Sequence, residues 1–186
     1  MENHNFKNER ETLKTKGWVL IKNVFNRTEI EQFRKDAITY RKSDQTGDLL
    51  SDKSLNKIIT DDRILNIASG LLQDTPVYFG DSTATVHSID NRISHGFHKD
   101  SADKNDGNAP DFKTEYSILR VGIYLQDHSK HSQGLIVRDG SHKVANTTTG
   151  TSVNVPSEPG DVIVWYLTTT HSGNAKRLKH FKNLVV

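Results

Sequence analysis

The sequence contains no cysteine. Disulfides, zinc–thiolate sites and thiol catalysis are therefore excluded. Long apolar runs are also missing. No stretch approaches the roughly 20 residues of a membrane span, and Met1 to Arg10 is polar and charged where a secretory leader would be apolar. A cytoplasmic protein with no membrane partner is expected. Nor is there a large charge of one sign: 25 Lys and Arg against 23 Asp and Glu leave a net +2, although the pI is about 8.7. A dedicated nucleic-acid binder would carry clustered basic residues with interleaved aromatics, so no nucleic-acid partner is expected. Apolar residues make up only 33% and the mean hydropathy is -0.65, which predicts much polar loop. The 186 residues are still enough for one domain with a real core, and a single domain over 1–186 is the simplest organisation.

Gly17 precedes Trp18-Val19-Leu20-Ile21-Lys22-Asn23-Val24, a β-rich run that predicts a short strand. Asn26-Arg27-Thr28-Glu29 reads as a helix entry with Asn26 or Thr28 as cap, and Ile30, Phe33, Ala37 and Tyr40 recur behind it at helical spacing. After a polar stretch, Asp61 or Asp62 can cap a second helix whose apolar face carries Ile64, Leu65, Ala68, Leu71 and Leu72. Both helices are expected to pack and to do no chemistry.

From Pro76 the pattern turns to β. Val77-Tyr78-Phe79 and Ser82 to Val86 are strand candidates. Ser101 to Thr114 is polar and reads as a long mobile loop, either beside a site or a solvated insertion without a role. Tyr116 to Gln126 alternates clearly: Leu119, Val121, Ile123 and Leu125 on one face, Ile118, Arg120, Gly122, Tyr124 and Gln126 on the other. The arginine on that second face lines a polar cavity or else marks an exposed sheet face. Gly134 to Arg138 is a further strand, Asp139-Gly140-Ser141-His142 a turn, Gly150 to Val155 a weaker strand and Pro156 to Asp161 another turn. Val162 to Leu167 is the strongest strand, Ser172-Gly173-Asn174 reads as a tight turn and Leu178 to Val186 as the last strand. A helical part over about 1–75 followed by many short strands over about 76–186 points to an antiparallel barrel or jelly roll.

Within this β region, His98 and Asp100 stand two residues apart. On extended backbone such residues point to the same side, so an imidazole and a carboxylate can grip one ion from neighbouring positions. In a chain with nine histidines the pattern alone also fits a loop with two polar side chains. A second histidine strengthens it: if the alternation of the strongest strand continues, Ile163, Trp165, Leu167, Thr169 and His171 share a face. Two imidazoles and one carboxylate make the facial triad of non-haem Fe(II) oxygenases, which leaves positions open for a co-substrate and O₂.

Four pieces, in order, carry a resemblance. They are Gly17 to Val24 followed by a helix; Phe97-His98-Lys99-Asp100; Gly134-Leu135 through Gly140-Ser141-His142-Lys143; and Gly160-Asp161-Val162 leading to His171. Together they resemble the phytanoyl-CoA dioxygenase-like branch of the Fe(II)/2-oxoglutarate-dependent oxygenases, over nearly the whole chain. The resemblance implies a double-stranded β-helix (jelly roll) with flanking N-terminal helices. It implies Fe(II) held by His98, Asp100 and His171, with 2-oxoglutarate as co-substrate and O₂ as oxidant. It also implies hydroxylation of a small-molecule metabolite with release of succinate and CO₂. Asp100 favours that outcome, since related halogenases carry a small residue there to admit halide.

The far carboxylate of 2-oxoglutarate needs a cation, best a guanidinium fork. The family commonly places it ten or eleven positions after the distal histidine. Here the eleventh is Lys182 and the nearest arginine is Arg177, six after His171; Arg177 is the favoured partner, although Lys176, Arg177, Lys179, His180 and Lys182 also fit a solvated basic strand. Tyr124 and Gln126 are expected beside 2-oxoglutarate, and Arg120 and Trp165 beside substrate, with sheet-face and core packing as the plain alternatives. His95, His128, His131 and His142 read as polar loop residues, and Ser141 beside His142 lacks the third group of a nucleophilic triad. The last expected strand runs to Val186, where relatives usually continue. The rival reading is a non-catalytic jelly roll that binds a small molecule or sugar. A zinc hydrolase using the same triad is a third.

Overall fold

The computed structural model describes residues 5–42, 47–84, 96–113, 117–128 and 134–173. Helix α1 (Lys7–Lys16) buries only Leu13 and ends on Gly17 at φ 88°, whose N–H donates to the Leu13 carbonyl at 2.8 Å. Glycine is required there twice over, for the left-handed backbone and because a Cβ would collide with the His142 ring. Sequence periodicity did not disclose this helix, since one apolar residue in ten makes no stripe. Strand β1 (Trp18–Ile21) follows directly.

Helix α2 (Arg27–Lys42) opens on a capping box. Asn26 Oδ1 accepts from the Glu29 N–H at 3.0 Å, and Glu29 Oε2 accepts from the Asn26 N–H at 2.8 Å. Its buried face is Ile30, Phe33, Ala37 and Tyr40, as the spacing predicts. A short helix α3 (Asn56–Ile59) leads to α4 (Asp62–Leu72), capped by Asp61. Its inner face is Ile64, Ile67 and Leu71; Leu65, expected inside, is 43% exposed. Arg63 ties the two long helices together, with Glu29 and Asp61 each at 2.7 Å and the Phe25 ring 4.3 Å beneath its guanidinium.

The strands form two three-stranded antiparallel sheets. One runs β1–β5–β2, with β5 (Val162–Tyr166) between β1 and β2 (Leu119–Ile123). The other runs β4–β3–β6, with β3 (Leu135–Arg138) between β4 (Ser152–Asn154) and β6 (His171–Gly173). Strand β5 is covered on both faces. Val162 and Val164 pack into a core with Leu13, Ile30, Phe33, Ile64, Ile67 and Leu71, while Ile163 and Trp165 join Trp18, Leu135, Val137 and Val155 between the sheets. Double coverage is why its sequence is apolar without interruption. The alternation on β2 holds in part: Leu119, Ile123 and Leu125 pack toward the helices and Tyr124 toward the inter-sheet core, but Val121, expected with the first three, is exposed.

Several expectations are corrected. Val77-Tyr78-Phe79 forms no strand; Val77 is 84% and Phe79 61% exposed. The polar groups of that segment go to one side chain instead of a ladder, for Asp48 accepts from the Tyr78 hydroxyl, the Ser82 N–H and the Ser82 hydroxyl. Residues 101–113 do form a largely exposed loop, tethered where Ser101 and Ala109 are buried and where Pro110–Phe112 winds a 3-10 turn. Ser172 and Gly173 lie in β6, not in a turn. The expected β5 alternation stops at Tyr166; the chain then turns through 167–169 and crosses to the second sheet. Leu178 to Val186, and part of the 82–86 candidate, lie outside the described residues. No described helix is long and apolar enough to cross a membrane.

Two outcomes follow. Ile163 is fully buried, so Ile163→Ala is expected to lower unfolding free energy by about 2–5 kcal/mol in urea titration. His142 stacks on Tyr166 at 5.2 Å and its Nε2 faces the Lys14 carbonyl at 3.1 Å; burial pushes its pKa down from 6.5 to about 4. The unfolded chain takes up a proton in this interval that the folded chain refuses, so stability should fall as pH drops from about 6.5 toward about 4. His142→Gln should be less stable at pH 7 yet lose less on acidification; a steeper loss would contradict this origin.

Candidate metal centre

The segment carrying His98 lies antiparallel to the start of β6. His98 and His171 exchange both backbone hydrogen bonds, each N–H donating to the other's carbonyl at 2.9 Å. Such directly opposed residues project to the same side of a sheet, and here their rings sit 4.4 Å apart. Two residues on, the Asp100 N–H donates to the Leu167 carbonyl at 3.2 Å, which returns its side chain to the same side. Lys99 between them points the opposite way, its Nζ donating to the carbonyls of Ser141 and Thr168. Burial lowers that amine to about 8.

The crossover that delivers His171 is held from several directions. Ser141 Oγ donates to the Arg138 carbonyl at 2.6 Å and accepts from the Thr170 N–H at 2.9 Å. Thr169 Oγ1 donates to the Gly17 carbonyl at 2.6 Å, and the Arg138 N–H donates to the Thr170 carbonyl at 2.9 Å. The serine hydroxyl is thus fully engaged and is no nucleophile. The Gly140-Ser141-His142 turn is a bracket for the residues leading into His171.

Asp100 Oδ1 stands 3.7 Å from His98 Nε2 and 3.6 Å from His171 Nε2, and one donor atom from each of the three lies within 4.8 Å of the others. Donors about 2.1 Å from an ion and about 90° apart would stand roughly 3 Å from one another, so binding would draw Asp100 Oδ1 closer to each imidazole by less than about 1 Å. In each residue the atom facing away from the group is already engaged. His98 Nδ1 lies 2.9 Å from the Gly96 carbonyl and His171 Nδ1 3.0 Å from the Thr169 carbonyl, contacts that favour a proton on Nδ1 and a free lone pair on Nε2. Asp100 Oδ2 accepts from Arg120 Nε at 3.1 Å. Burial, partly offset by the hydrogen bond to Thr169, lowers the His171 pKa and so keeps the imidazole in the neutral form that a metal needs. Nitrogen and oxygen donors on one face, with orienting partners behind them, fit a first-row divalent ion. The centre opens on the His98 side, where that side chain is 39% exposed against 8% for His171.

The remaining expected residues divide. Trp165, paired with Arg120 across β5 and β2, places its ring 5.5 Å from that of His171. It is a core residue, yet its indole N–H is buried without a hydrogen-bond partner. Gly122 makes room for it, since a Cβ there would meet the indole at 2.9 Å. Tyr124 packs at the inter-sheet core, its ring perpendicular to that of His128 with centroids 5.1 Å apart, and burial pushes its phenol pKa up to about 12. Gln126 is partly exposed beyond the end of β2. Arg120 does reach the centre, but its guanidinium lies between two carboxylates, Asp100 and Asp81, the latter at 2.6 Å. Arg177, Lys182, His95 and His131 lie outside the described residues. Asp81 was not singled out from sequence; an aspartate after a glycine carries no mark that separates it from any solvated turn.

Comparison with known proteins gives a likeness of fold. No protein-family model and no curated protein sequence matches the chain. Among solved structures, the non-heme alpha-ketoglutarate-dependent epimerase SnoN from nogalamycin biosynthesis superposes with a TM-score of 0.71 at 14% identity, covering 97% of this chain and 78% of that one. EctD from S. alaskensis with 2-oxoglutarate and 5-hydroxyectoine gives 0.67 at 17%, covering 90% and 70%. The nickel complex of the non-heme monooxygenase ThoJ gives 0.67 at 22%, covering 89% and 70%. SnoN is also known in complex with Fe3+, alpha ketoglutarate and nogalamycin RO.

If the three donors form one centre, His98→Ala and His171→Ala should each remove measurable Mn(II) binding in titration calorimetry while leaving the far-UV circular dichroism unchanged. Full retention in both variants would end the assignment.

Proposed function

We propose that this chain is an Fe(II)/2-oxoglutarate-dependent dioxygenase that hydroxylates a small-molecule metabolite and releases succinate and CO₂. The observation that carries the reading is the convergence of three unengaged donor atoms, His98 Nε2, Asp100 Oδ1 and His171 Nε2, each oriented by a bond to its opposite atom. The fold likeness to SnoN, EctD and ThoJ supports it. So does the order of the four sequence pieces, on which we place the chain in the phytanoyl-CoA dioxygenase-like branch. The two sheets are then the walls of a double-stranded β-helix, and residues 1–186 form one unit in which β1, from the helical part, completes the first sheet.

His98, Asp100 and His171 would hold ferrous iron through one face. Bound there, the metal would couple O₂-driven decarboxylation of 2-oxoglutarate to oxidation of a C–H bond. The chain's own tasks are binding, orientation and exclusion of water. The carbonyls of Gly96 and Thr169 fix the imidazoles, and the inter-sheet core around Trp165 keeps one wall dry. Asp100 would occupy the place that a halide takes in related halogenases, which supports hydroxylation. Arg177 is assigned the far carboxylate of 2-oxoglutarate, with Lys182 the alternative cation, and Tyr124 and Gln126 its lining. Trp165 offers its unpartnered N–H to an oxygen of a bound ligand. Arg120, engaged by carboxylates on both edges, is assigned no substrate contact.

Two measurements test this. With Mn(II) present and O₂ excluded, 2-oxoglutarate should bind with micromolar affinity, and Arg177→Ala should weaken it more than Lys182→Ala. With Fe(II) and O₂, 2-oxoglutarate should be converted to succinate, faster when candidate metabolites are supplied. Retained binding of a small molecule with no succinate under any condition would leave the non-catalytic module as the better reading.

A further inference from the structure

We propose that Arg120 is a positioning residue that holds Asp100 with Oδ1 turned toward the two imidazoles, and that Asp81 in turn fixes Arg120. The inference rests on the reading of His98, Asp100 and His171 as a metal centre. A ligand oxygen that is free to turn must be ordered when an ion binds, so a carboxylate already held toward its co-ligands binds a metal more tightly. Asp100 is half-buried, and its Oδ2 is the oxygen turned away from the imidazoles. Arg120 Nε holds that oxygen at 3.1 Å, leaving Oδ1 toward the two imidazoles.

One bond to a flexible side chain would orient little. Arg120 is instead gripped on its far edge, where Nη2 donates to Asp81 Oδ2 at 2.6 Å and Nη1 donates to the Asp81 carbonyl at 3.1 Å. A planar fork with donors on both edges can link two carboxylates rigidly, which an ammonium cannot. Asp81 is also held from below. Its neighbour Ser82 donates through N–H and hydroxyl to Asp48 Oδ2, and Tyr78 donates to the same oxygen. A line of directed bonds therefore runs from Asp48 through the 78–82 segment and Arg120 to Asp100. Neither the helices nor the sheet ladder supplies this constraint, and it accounts for an arginine on the inner side of β2.

The test is Mn(II) titration calorimetry on the full chain, with thermal melting as a control of folding. Arg120→Gln removes a positive charge beside the ion, so electrostatics alone would tighten binding. Positioning predicts the opposite, an affinity about 10–100-fold weaker. Arg120→Lys keeps the charge and should remain weakened. Asp81→Ala, at a 70% exposed carboxylate outside the ligand set, should weaken binding about two- to fivefold. The double variant should bind no more weakly than Arg120→Gln, because Asp81 acts only through Arg120. Unchanged or tighter binding in Arg120→Gln, wild-type affinity in Arg120→Lys, or additive losses in the double variant would each overturn the proposal. If Arg120→Gln fails to fold, unchanged affinity in Asp81→Ala overturns it instead. Absence of Mn(II) binding in the wild-type chain would reject the underlying metal reading, a distinct result.

Discussion

The structure depends on one reciprocal pair of backbone hydrogen bonds, between His98 and His171. The two residues are far apart in the chain, and among the described residues His98 belongs to no regular strand. The isolated bridge sets both imidazoles on one side at contact distance. Remove that register, even by one residue, and one ring turns to the opposite side, since strand side chains alternate. Much of the surrounding architecture guards this register. Ser141 and Thr169 pin the crossover from β5 to β6, Lys99 anchors the His98 segment on its buried side, and Val137 pairs with His171 across the second sheet.

Energetically, the centre sits where two requirements meet. A metal site needs polar donors free of other partners, while a protein interior penalises polar atoms left unpaired. The conflict is eased by dividing each ligand. Nδ1 of each histidine and Oδ2 of the aspartate are satisfied by the protein, and the remaining three atoms face an opening toward solvent. The cation Arg120 next to Asp100 and the burial of neutral His171 keep the group from accumulating charge it cannot screen. The Trp165 N–H stays an exception, a buried donor without a partner on the same inter-sheet face.

Much of this was legible in the sequence, and the failures have physical causes. The α2 stripe, the start of α4 at Asp61 or Asp62 and β5 were readable because helix and strand periods leave marks that tertiary packing did not overrule. His-x-Asp was readable for the same reason, period two on extended backbone. The α4 face was misassigned by one position because Leu65 and Ile67 are equally apolar, and only docking decides which turns inward. The Val77 to Phe79 strand failed because β-forming composition cannot reveal that Asp48, thirty residues earlier, captures Tyr78. His171 was placed on the correct side through an incorrect route: continuous alternation from Ile163 was assumed, whereas the chain turns after Tyr166 and changes sheets. The Arg120 and Asp81 pairing had no local signature at all, since it joins a strand to an irregular segment across 39 positions.

The central claim is that three side chains hold one ferrous ion with half its coordination sphere free for a chelating keto acid. Its most direct test is visible absorption of the protein under strict exclusion of O₂. A keto acid chelated to Fe(II) places an empty carbonyl orbital beside filled metal orbitals and should give a charge-transfer band. We expect that band only when Fe(II) and 2-oxoglutarate are both present, and its loss in His171→Ala. A wild-type spectrum with no such band, or a band that survives His171→Ala, would contradict the account.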